Sequence, residues 1–434
     1  MTSRAPDQAR RLAAVLPAFV LLVGLVPLAT VVTTDSSAAG TCLGSPVTLV
    51  GTSGSVLTGT DGPDVIDTND ATLVYALGGA DIICANGRSV VDAGDGDDTV
   101  DGTSQPRGSV TLGAGADRYQ GGPGFDFVRA AQIIDDGSGG PIHDLNVDVI
   151  DTGDGDARIL SGYILAPNAD RITVGDGDAE VSWAGIPGPG GFLHLGRGSH
   201  GLTLGFNQHG LPVHDWVIDA SGTVETPLAD RLVNLSGHLS RVRLVGRLPA
   251  GATLTYLGSQ GAERVWLDGH GVVSVRTQGG QDRVVLACNR LTAGSSFSAG
   301  PGHDSLNITY CQNARIDLDS HRLNSASLRG FERVDVRAAT IDLRGNEAAN
   351  RLTADGCQVR VDGRRGADDI VVRTYPRGLS CDGSRKVDGG AGDDHMVGSL
   401  RGDVLVGGDG FDQAYGRGGL DTCRAEVTRR CEKR

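Results

Sequence analysis

Aspartates at a fixed spacing are the residues of this sequence best suited to chemistry. Near the C-terminus, "GGAGDDHMV" (389–397) is followed in register by "GSLRGDVLV", "GGDGFDQAY" and "GRGGLDTCR". Asp394, Asp403, Asp412 and Asp421 therefore recur every nine residues, and a compact side chain follows two positions after each of them. A fixed period of this kind indicates an internal repeat.

A second series of aspartates lies between residues 59 and 129: Asp64, Asp81, Asp98, Asp117 and Asp126. The first four are 17, 17 and 19 residues apart, which is about two nine-residue units. If a turn and a short strand take nine residues, two units make one coil, and every second unit falls on the same edge. The spacing therefore predicts one stacked edge in this series. In the C-terminal series it predicts that Asp394 lies beside Asp412, and Asp403 beside Asp421.

The stretch between the two series keeps the pattern in a looser form. Runs such as "ADRITV", "SRVRLVG" and "DRVVL" alternate as half-buried strands do. Copies of the repeat return in "AGPGHDSLN", which contains Asp304, and in "RRGADDIVV". No long amphipathic helical pattern occurs after residue 39. The sequence predicts an all-β chain, a right-handed parallel β-roll that grades into a β-solenoid of glycine- and aspartate-rich nonapeptides.

Stacked turns of this composition are suited to a hard cation. Glycine permits tight turns with positive φ, which bring backbone carbonyls together. Carboxylates at stacking distance repel one another unless a cation lies between them. Calcium accepts six to eight oxygens, carbonyls included, in irregular geometry. The predicted calcium ligands are Asp64, Asp81, Asp98, Asp117, Asp126, Asp304, Asp394, Asp403, Asp412 and Asp421.

The nonamers resemble the G-G-x-G-x-D-x-U-x repeats of the RTX, or haemolysin-type, calcium-binding family. "GGPGFDFVR", "GGAGDDHMV" and "GGDGFDQAY" match all five specified positions, and "AGPGHDSLN" matches four. The resemblance implies a parallel β-roll in which sixth-position aspartates and turn carbonyls of neighbouring coils bind calcium. Pore-forming members carry a long hydrophobic helical region, and this chain has no such region after residue 40, so lytic activity is not indicated.

The N-terminal residues predict export. Arg4, Arg10 and Arg11 precede a 21-residue mostly apolar run and then "SSAAG", a pattern typical of a secretory signal cleaved near Ala39. An uncleaved membrane anchor is the alternative, because the run is long enough to span a bilayer. The predicted organisation is a signal (1–39), an N-terminal calcium-binding block (40–150), a degenerate solenoid (151–387) and C-terminal calcium-binding repeats with a disulfide cap (388–434).

Eight cysteines in an exported chain favour disulfides. Sequential pairing is the predicted connectivity, with Cys423 joined to Cys431 at the C-terminus. No C-x-x-C pair occurs, which disfavours zinc. The eight are Cys42, Cys84, Cys288, Cys311, Cys357, Cys381, Cys423 and Cys431.

Charge and the absence of catalytic motifs limit the classes of function. The net charge is −14, and removal of residues 1–39, with three arginines and two aspartates, makes it −15, so nucleic acid and membrane insertion are not expected. No H-E-x-x-H or G-x-S-x-G motif occurs. We expect a secreted calcium-binding protein that is not an enzyme, with extracellular polysaccharide or a cell surface as partner.

Three alternatives remain open. A parallel β-helix lyase or hydrolase acting on glycans would need residues brought together only by coiling. A transition-metal site would use histidines that lie within 21 residues of one another, and the tryptophans would either stack on sugars or cover the edges of the core. These residues are His194, His200, His209, His214, Trp183, Trp216 and Trp266.

Overall fold

The computed structural model describes residues 40–432, except 131–132, 136–140, 164–167, 186–189, 207–214, 221–232, 236–237, 249 and 375–382. In this part of the chain the backbone forms a parallel β-solenoid of about 15 turns. Its helical content is a single 3-10 turn, Cys288–Arg290. The predicted all-β solenoid is confirmed.

The strands are short, since each coil must turn again after a few residues. In chain order, β1 to β20 are Thr41–Cys42, Ser45–Pro46, Leu49–Val50, Val56–Thr58, Val65–Asp67, Leu73–Tyr75, Ile82–Cys84, Val90–Asp95, Thr99–Asp101, Arg107–Ala114, Arg118–Gln120, Phe125–Arg129, Ile133–Asp135, Pro141–His143, Val149–Asp151, Ala157–Gly162, Arg171–Val174, Ala179–Ala184, Phe192–Leu195 and Ser199–Phe206.

The second half of the chain contains the longest strands. In chain order, β21 to β40 are Trp216–Asp219, Val233–Leu235, His238–Arg247, Thr253–Leu257, Arg264–His270, Val272–Arg276, Arg283–Ala287, Ser296–Ser298, Ser305–Asp317, Arg322–Leu323, Ala326–Arg329, Arg333–Arg344, Arg351–Asp362, Asp369–Arg373, Arg385–Ala391, His395–Val397, Val404–Asp409, Gln413–Tyr415, Thr422–Arg424 and Val427–Arg429.

Two stacks of parallel strands enclose the core. One is a nine-stranded sheet in the order β22-β19-β17-β15-β11-β9-β7-β5-β3, and most of the other strands join a second, larger sheet. The pairing is continuous across residue 150, through β11, β15 and β17, and across residue 388, through β33, β35 and β37. Met396 pairs with Ala414 and Leu405 with Cys423, which confirms the 18-residue coil predicted for the C-terminal repeats.

The core is a ladder of aliphatic side chains rather than one globular centre. In the three-residue strands of the first sheet the middle residue is buried and its neighbours face outward, as period-two alternation requires. Ile66, Ile83 and Val100 therefore stack in register, each fully buried. Each coil contacts mainly its two neighbours, as in other repeat architectures.

Three disulfides join described residues: Cys42–Cys84, Cys288–Cys311 and Cys423–Cys431. All three are sequential pairs, as predicted. Cys357 is also disulfide-bonded, while Cys381, its predicted partner, lies outside the described residues. Disulfides persist in oxidising compartments, so the chain is suited to such an environment.

No helix among the described residues is long and apolar enough to cross a bilayer. The predicted signal, residues 1–39, lies outside this part of the chain.

Truncation of one core ladder residue tests the packing. We expect Ile83→Ala to lower the free energy of unfolding by about 2 to 5 kcal/mol, because it opens a cavity between Ile66 and Val100. Urea unfolding followed by far-UV circular dichroism measures this loss. Val90→Ala is the control, since Val90 is 42% exposed and should change stability by no more than about 0.5 kcal/mol. Equal losses for both variants would contradict the ladder.

Candidate cation sites in the stacked turns

Each repeat aspartate lies where a turn ends and the next strand begins. Asp394 precedes β36 and Asp412 precedes β38, and both side chains are at most 1% exposed. The backbone N–H of Asp394 donates to Oδ1 of Asp412 at 2.9 Å. The carboxylate of one coil therefore accepts a hydrogen bond from the same position in the preceding coil.

This bond recurs along the solenoid and builds columns of acidic residues. In the N-terminal column the N···O distances are 2.7 to 3.1 Å, and the members are Asp64, Asp81, Asp98, Asp117, Asp148 and Asp170. In the C-terminal half the distances are 2.7 to 2.9 Å, and the bonds join Glu263 to Asp282, Asp282 to Asp304, Asp304 to Glu332, Asn350 to Asp368, Asp368 to Asp394, Asp394 to Asp412, and Asp412 to Glu426.

A further column occupies the other edge of the C-terminal coils. The N–H of Asp403 donates to Asp421 Oδ1, and the N–H of Asp421 donates to Glu432 Oε2, both at 2.8 Å. The predicted neighbours, Asp394 with Asp412 and Asp403 with Asp421, are confirmed.

Asp126 stands apart from the N-terminal column. It pairs in register with Gly108 and Ala157, on the larger sheet, so no acidic residue lies beside it in the adjoining strands. Its Oδ1 accepts a hydrogen bond from the Tyr119 hydroxyl at 2.8 Å. Asp126 follows Asp117 by nine residues, which is about half a coil, so it lies on the opposite edge of the solenoid from the N-terminal column.

The second carboxylate oxygen of most column aspartates is buried without a hydrogen bond. Burial of an unpaired charged oxygen is costly, so these atoms need either a proton or a cation. They include Oδ2 of Asp81, Asp98, Asp117, Asp304, Asp368, Asp394, Asp412 and Asp421, and Oδ2 of Asp126, outside the columns, is also buried without a hydrogen bond.

Two of the predicted ligands are capped inside their own turns instead. The N–H of Thr60 donates to Asp64 Oδ2 at 2.7 Å, and that of Ser399 donates to Asp403 Oδ2 at 2.6 Å. Asp403 also pairs with the buried Arg385 guanidinium, Nε to Oδ1 3.0 Å. These carboxylates are already satisfied, so they are poorer candidates for a metal.

The uncapped carboxylates follow a different turn. Gly408 and Gly410 before Asp412 have φ of 116° and 141°, and the turn before Asp394 repeats this pair at 108° and 131°. In that conformation the turn N–H groups point along the coil axis, as when Gly392 N donates to Asp409 O at 2.7 Å. They are therefore not directed at the carboxylate, and its Oδ2 stays open.

Glycine at the first position of the repeat leaves a small oxygen-lined gap. A Cβ on Gly389 would lie 2.4 Å from Asp394 Oδ2 and 2.6 Å from Gly407 O. A Cβ on Gly363 would lie 2.4 Å from both Asp368 Oδ2 and Gly389 O. Carboxylate and carbonyl oxygens of neighbouring coils thus converge on one space, a donor set that suits a hard cation such as calcium.

The structure adds a carboxylate cluster that sequence reasoning missed. One oxygen each from Asp117, Asp144 and Asp148 lies within 4.8 Å of the others. Asp144 is partly exposed, whereas Asp117 and Asp148 are both 1% exposed. Asp148 opens the tetrapeptide "DVID" (148–151), which repeats "DVID" at Asp64. That recurrence was the available signal, although no glycine-rich turn precedes the second copy.

The remaining candidates are dispersed or serve turns. Exposed carboxylates of Asp154 and Asp156 accept the N–H groups of Asp176 and Asp178, at 3.2 and 2.9 Å, so they close turns between coils. His200 is fully buried, with Nε2 3.1 Å from Gly196 O. His209 and His214 lie outside the described residues, so the four-histidine metal site is untested.

Burial and neighbouring charge raise the pKa of several of the column carboxyls, Asp98, Asp117, Asp368 and Asp394 among them. Desolvation is the main cause, and adjacent aspartates add to it. The pKa is raised to about 8 for Asp98, about 7 for Asp117 and Asp368, and about 6 for Asp394. The pKa of Asp148 is also raised, by burial and then by Asp170. Without a counter-cation, several of these groups hold a proton near neutral pH.

The raised pKa values predict the pH dependence of stability. A carboxyl whose pKa is higher in the folded state stabilises the fold while protonated and loses that contribution as pH rises through the folded value. In chelator, the melting temperature should therefore fall between about pH 5 and pH 8. At saturating calcium this fall should shrink. Differential scanning calorimetry at constant ionic strength measures both, and a melting temperature that rises with pH in chelator would contradict the assignment.

The likeness of the repeats to the haemolysin-type family rests on their motifs. No protein-family model matches the chain, and no curated protein matches it. The geometry of the turns is therefore the main indication of function.

Proposed function

We propose that the chain is an extracellular calcium-binding repeat protein of the haemolysin type, in which calcium between stacked turns completes the fold. The observation that carries this proposal is the set of buried Oδ2 atoms without a hydrogen bond. Beside Gly363, Gly389 and Gly416 such an oxygen lies next to a backbone carbonyl of the following coil. A proton can satisfy such an oxygen only by removing its charge. A divalent ion satisfies it and also cancels the repulsion along the column.

The oxygen donors favour calcium over other ions. The gap beside Gly389 is lined by a carboxylate and a backbone carbonyl, which are hard ligands without nitrogen or sulfur. Calcium tolerates irregular geometry at about 2.3 to 2.6 Å, whereas magnesium demands a near-ideal octahedron. When bound, calcium would supply charge neutralisation and crosslinking between coils, not a reaction step.

The conformation of the turn before each aspartate separates the stronger candidate calcium sites from the weaker ones. Uncapped turns with paired left-handed residues precede Asp81, Asp98, Asp117, Asp368, Asp394, Asp412 and Asp421. The cluster of Asp117, Asp144 and Asp148 offers a third carboxylate. Asp64 and Asp403 are capped by backbone N–H groups and serve the turns.

An extracellular location supports the same role. The three disulfides suit an oxidising compartment. Outside the cell calcium is abundant, so dissociation constants of about 10⁻⁴ to 10⁻³ M suffice for a structural site. A surface, matrix or adhesion role for the assembled rod, without enzymatic activity, is part of this proposal. The glycan-cleaving alternative stays a prediction.

Removal of two neighbouring ligands tests the calcium sites. The double variant Asp394→Asn, Asp412→Asn keeps Oδ1 as an acceptor but replaces Oδ2, so the fold should persist while calcium stabilisation is lost. At about 10 mM calcium each lost site should cost about 1.4 to 2.7 kcal/mol of that stabilisation. Thermal melts with chelator and with calcium measure the difference.

Asp393→Asn is the matched control for this variant. Asp393 adjoins Asp394 in sequence but is exposed and accepts the Phe411 N–H at 2.9 Å. Its replacement should leave the calcium response unchanged. An unaltered response in the double variant, or an equal loss in the control, would show that the column does not hold calcium.

Closing the gap without changing charge gives an independent test. Gly389→Ala should reduce calcium affinity at this turn, because its Cβ would lie only 2.4 Å from Asp394 Oδ2 and 2.6 Å from Gly407 O and would have to displace these two oxygens. Gly418→Ala is the control, since the nearest atom there is 3.8 Å away. Isothermal titration calorimetry should show fewer or weaker sites for the first variant alone, and identical titrations would rule out the gap.

A further inference from the structure

A column of arginines follows one outer face of the larger sheet. Parallel pairing aligns one outward position in six consecutive strands, β23, β25, β27, β29, β32 and β33. Adjacent members are about 4.8 Å apart, the strand spacing. Five of the six positions are arginine: Arg241, Arg264, Arg283, Ser305, Arg333 and Arg351.

A groove lies beside this column. One part, of 410 Å³, is lined by Glu180, Arg243, Trp266 and Asp268. A second part, of 260 Å³, continues from the shared residue Thr309 towards Arg373. From the strand of Glu180 to that of Arg373 the groove crosses nine strands, or about 40 Å along the solenoid axis. Its length and openness suit a linear polymer better than a small molecule.

Part of the arginine charge is already neutralised. Arg241 forms an ion pair with Glu180. Asp268 accepts hydrogen bonds from Arg243 at 3.3 Å and Arg290 at 2.6 Å, so one carboxylate serves two arginines.

Arg351 is paired as well, Nε to Asp369 Oδ2 3.4 Å. The remaining arginines of the column flank the groove and are available to a ligand. Among the described residues, no carboxylate lies within ion-pair distance of the exposed Arg264 or Arg333. Arg283 donates to the amide oxygen of Asn307, Nε to Oδ1 3.1 Å, which leaves its charge uncompensated. On a chain of net charge −14, this face is a local positive strip with donors at a regular repeat.

We propose that this groove binds a linear polysaccharide that carries carboxylate groups. Guanidinium groups bind carboxylates through paired N–H donors. Trp266, half-buried in the groove, offers a flat apolar ring to a sugar face. Asn307 and Thr309 supply donors and acceptors for hydroxyl groups. An arginine column beside rows that contain Asn307 and Thr309 fits a polymer whose sugar units carry both carboxylate and hydroxyl groups.

Nucleic acid fits this groove less well. Its phosphates form an unbroken line of charge, and Glu180, Asp335 and Asp355 line the same groove. Those carboxylates and the net negative charge of the chain would repel a polyphosphate. A sugar polymer of lower charge density tolerates such neighbours.

The groove is separate from the proposed calcium sites. It lies on strand faces, whereas the calcium sites lie in turns, so an experiment can disprove one of the two proposals and leave the other standing. The variant Arg264→Gln, Arg333→Gln should leave the calcium-induced rise in melting temperature unchanged while it alters polymer binding.

The test uses oligogalacturonate as probe, at one fixed calcium concentration, with tryptophan fluorescence and calorimetry as readouts. We expect the full chain to bind, and Arg264→Gln, Arg333→Gln to weaken binding by about tenfold. The matched control, Arg118→Gln, Arg171→Gln, removes two exposed arginines from the nine-stranded sheet and should bind as the parent does. Trp266→Phe should reduce the fluorescence change.

Any one of several results would overturn the proposal. They include absence of binding to oligogalacturonate, equal weakening in the two arginine variants, and tighter binding of a DNA duplex than of oligogalacturonate at equal charge concentration. Binding of uncharged dextran with the same affinity would also contradict it, since the arginines would then contribute nothing.

Discussion

The hydrogen bond from a backbone N–H to the carboxylate of the next coil is the interaction on which the rest of the structure depends. It fixes the register of successive coils, because the donating N–H and the accepting carboxylate have to lie at equivalent positions of neighbouring coils. It also forces acidic groups to within one strand spacing of each other, inside a fold from which water is largely excluded. The same contact that aligns the coils therefore creates an electrostatic cost, which raises the pKa of Asp98, Asp117 and Asp368.

The architecture could be predicted from the sequence because a coil of two nine-residue units repeats the same residue types at a fixed spacing. The 18-residue spacing of Asp394 and Asp412 was sufficient to predict that they are neighbours. It could not distinguish turn types. "GGPGFD", which ends at Asp126, matches the repeat fully, yet its Gly122 and Gly124 do not adopt the left-handed pair found before Asp412. Turn conformation depends on the coils above and below, which a single nonamer does not encode.

Where the period lapses, the sequence was a weaker guide. Asp148 and Asp170 continue the N-terminal column, although Asp148 lies 31 residues after Asp117 and Asp170 lies 22 residues after Asp148. Insertions between coils change the spacing without changing the stacking, since loops of different lengths can return the chain to the same edge. Glu332 likewise occupies an aspartate position, and its longer side chain accepts from the Asp304 N–H. Glu263 donates its backbone N–H to Asp282 as the aspartates do, but its carboxylate is capped by Ser259 of its own turn.

The columns have a direction. Within a column, the backbone N–H of one acidic residue donates to the carboxylate one coil further along the chain, as Asp394 does to Asp412. Glu426 and Glu432 accept from the N–H groups of Asp412 and Asp421 in the same sense, and the Cys423–Cys431 bridge ties their segment to the preceding strand. Truncation before Glu426 would therefore leave two buried backbone donors without acceptors at the exposed face of the last coil, where they could pair with another chain.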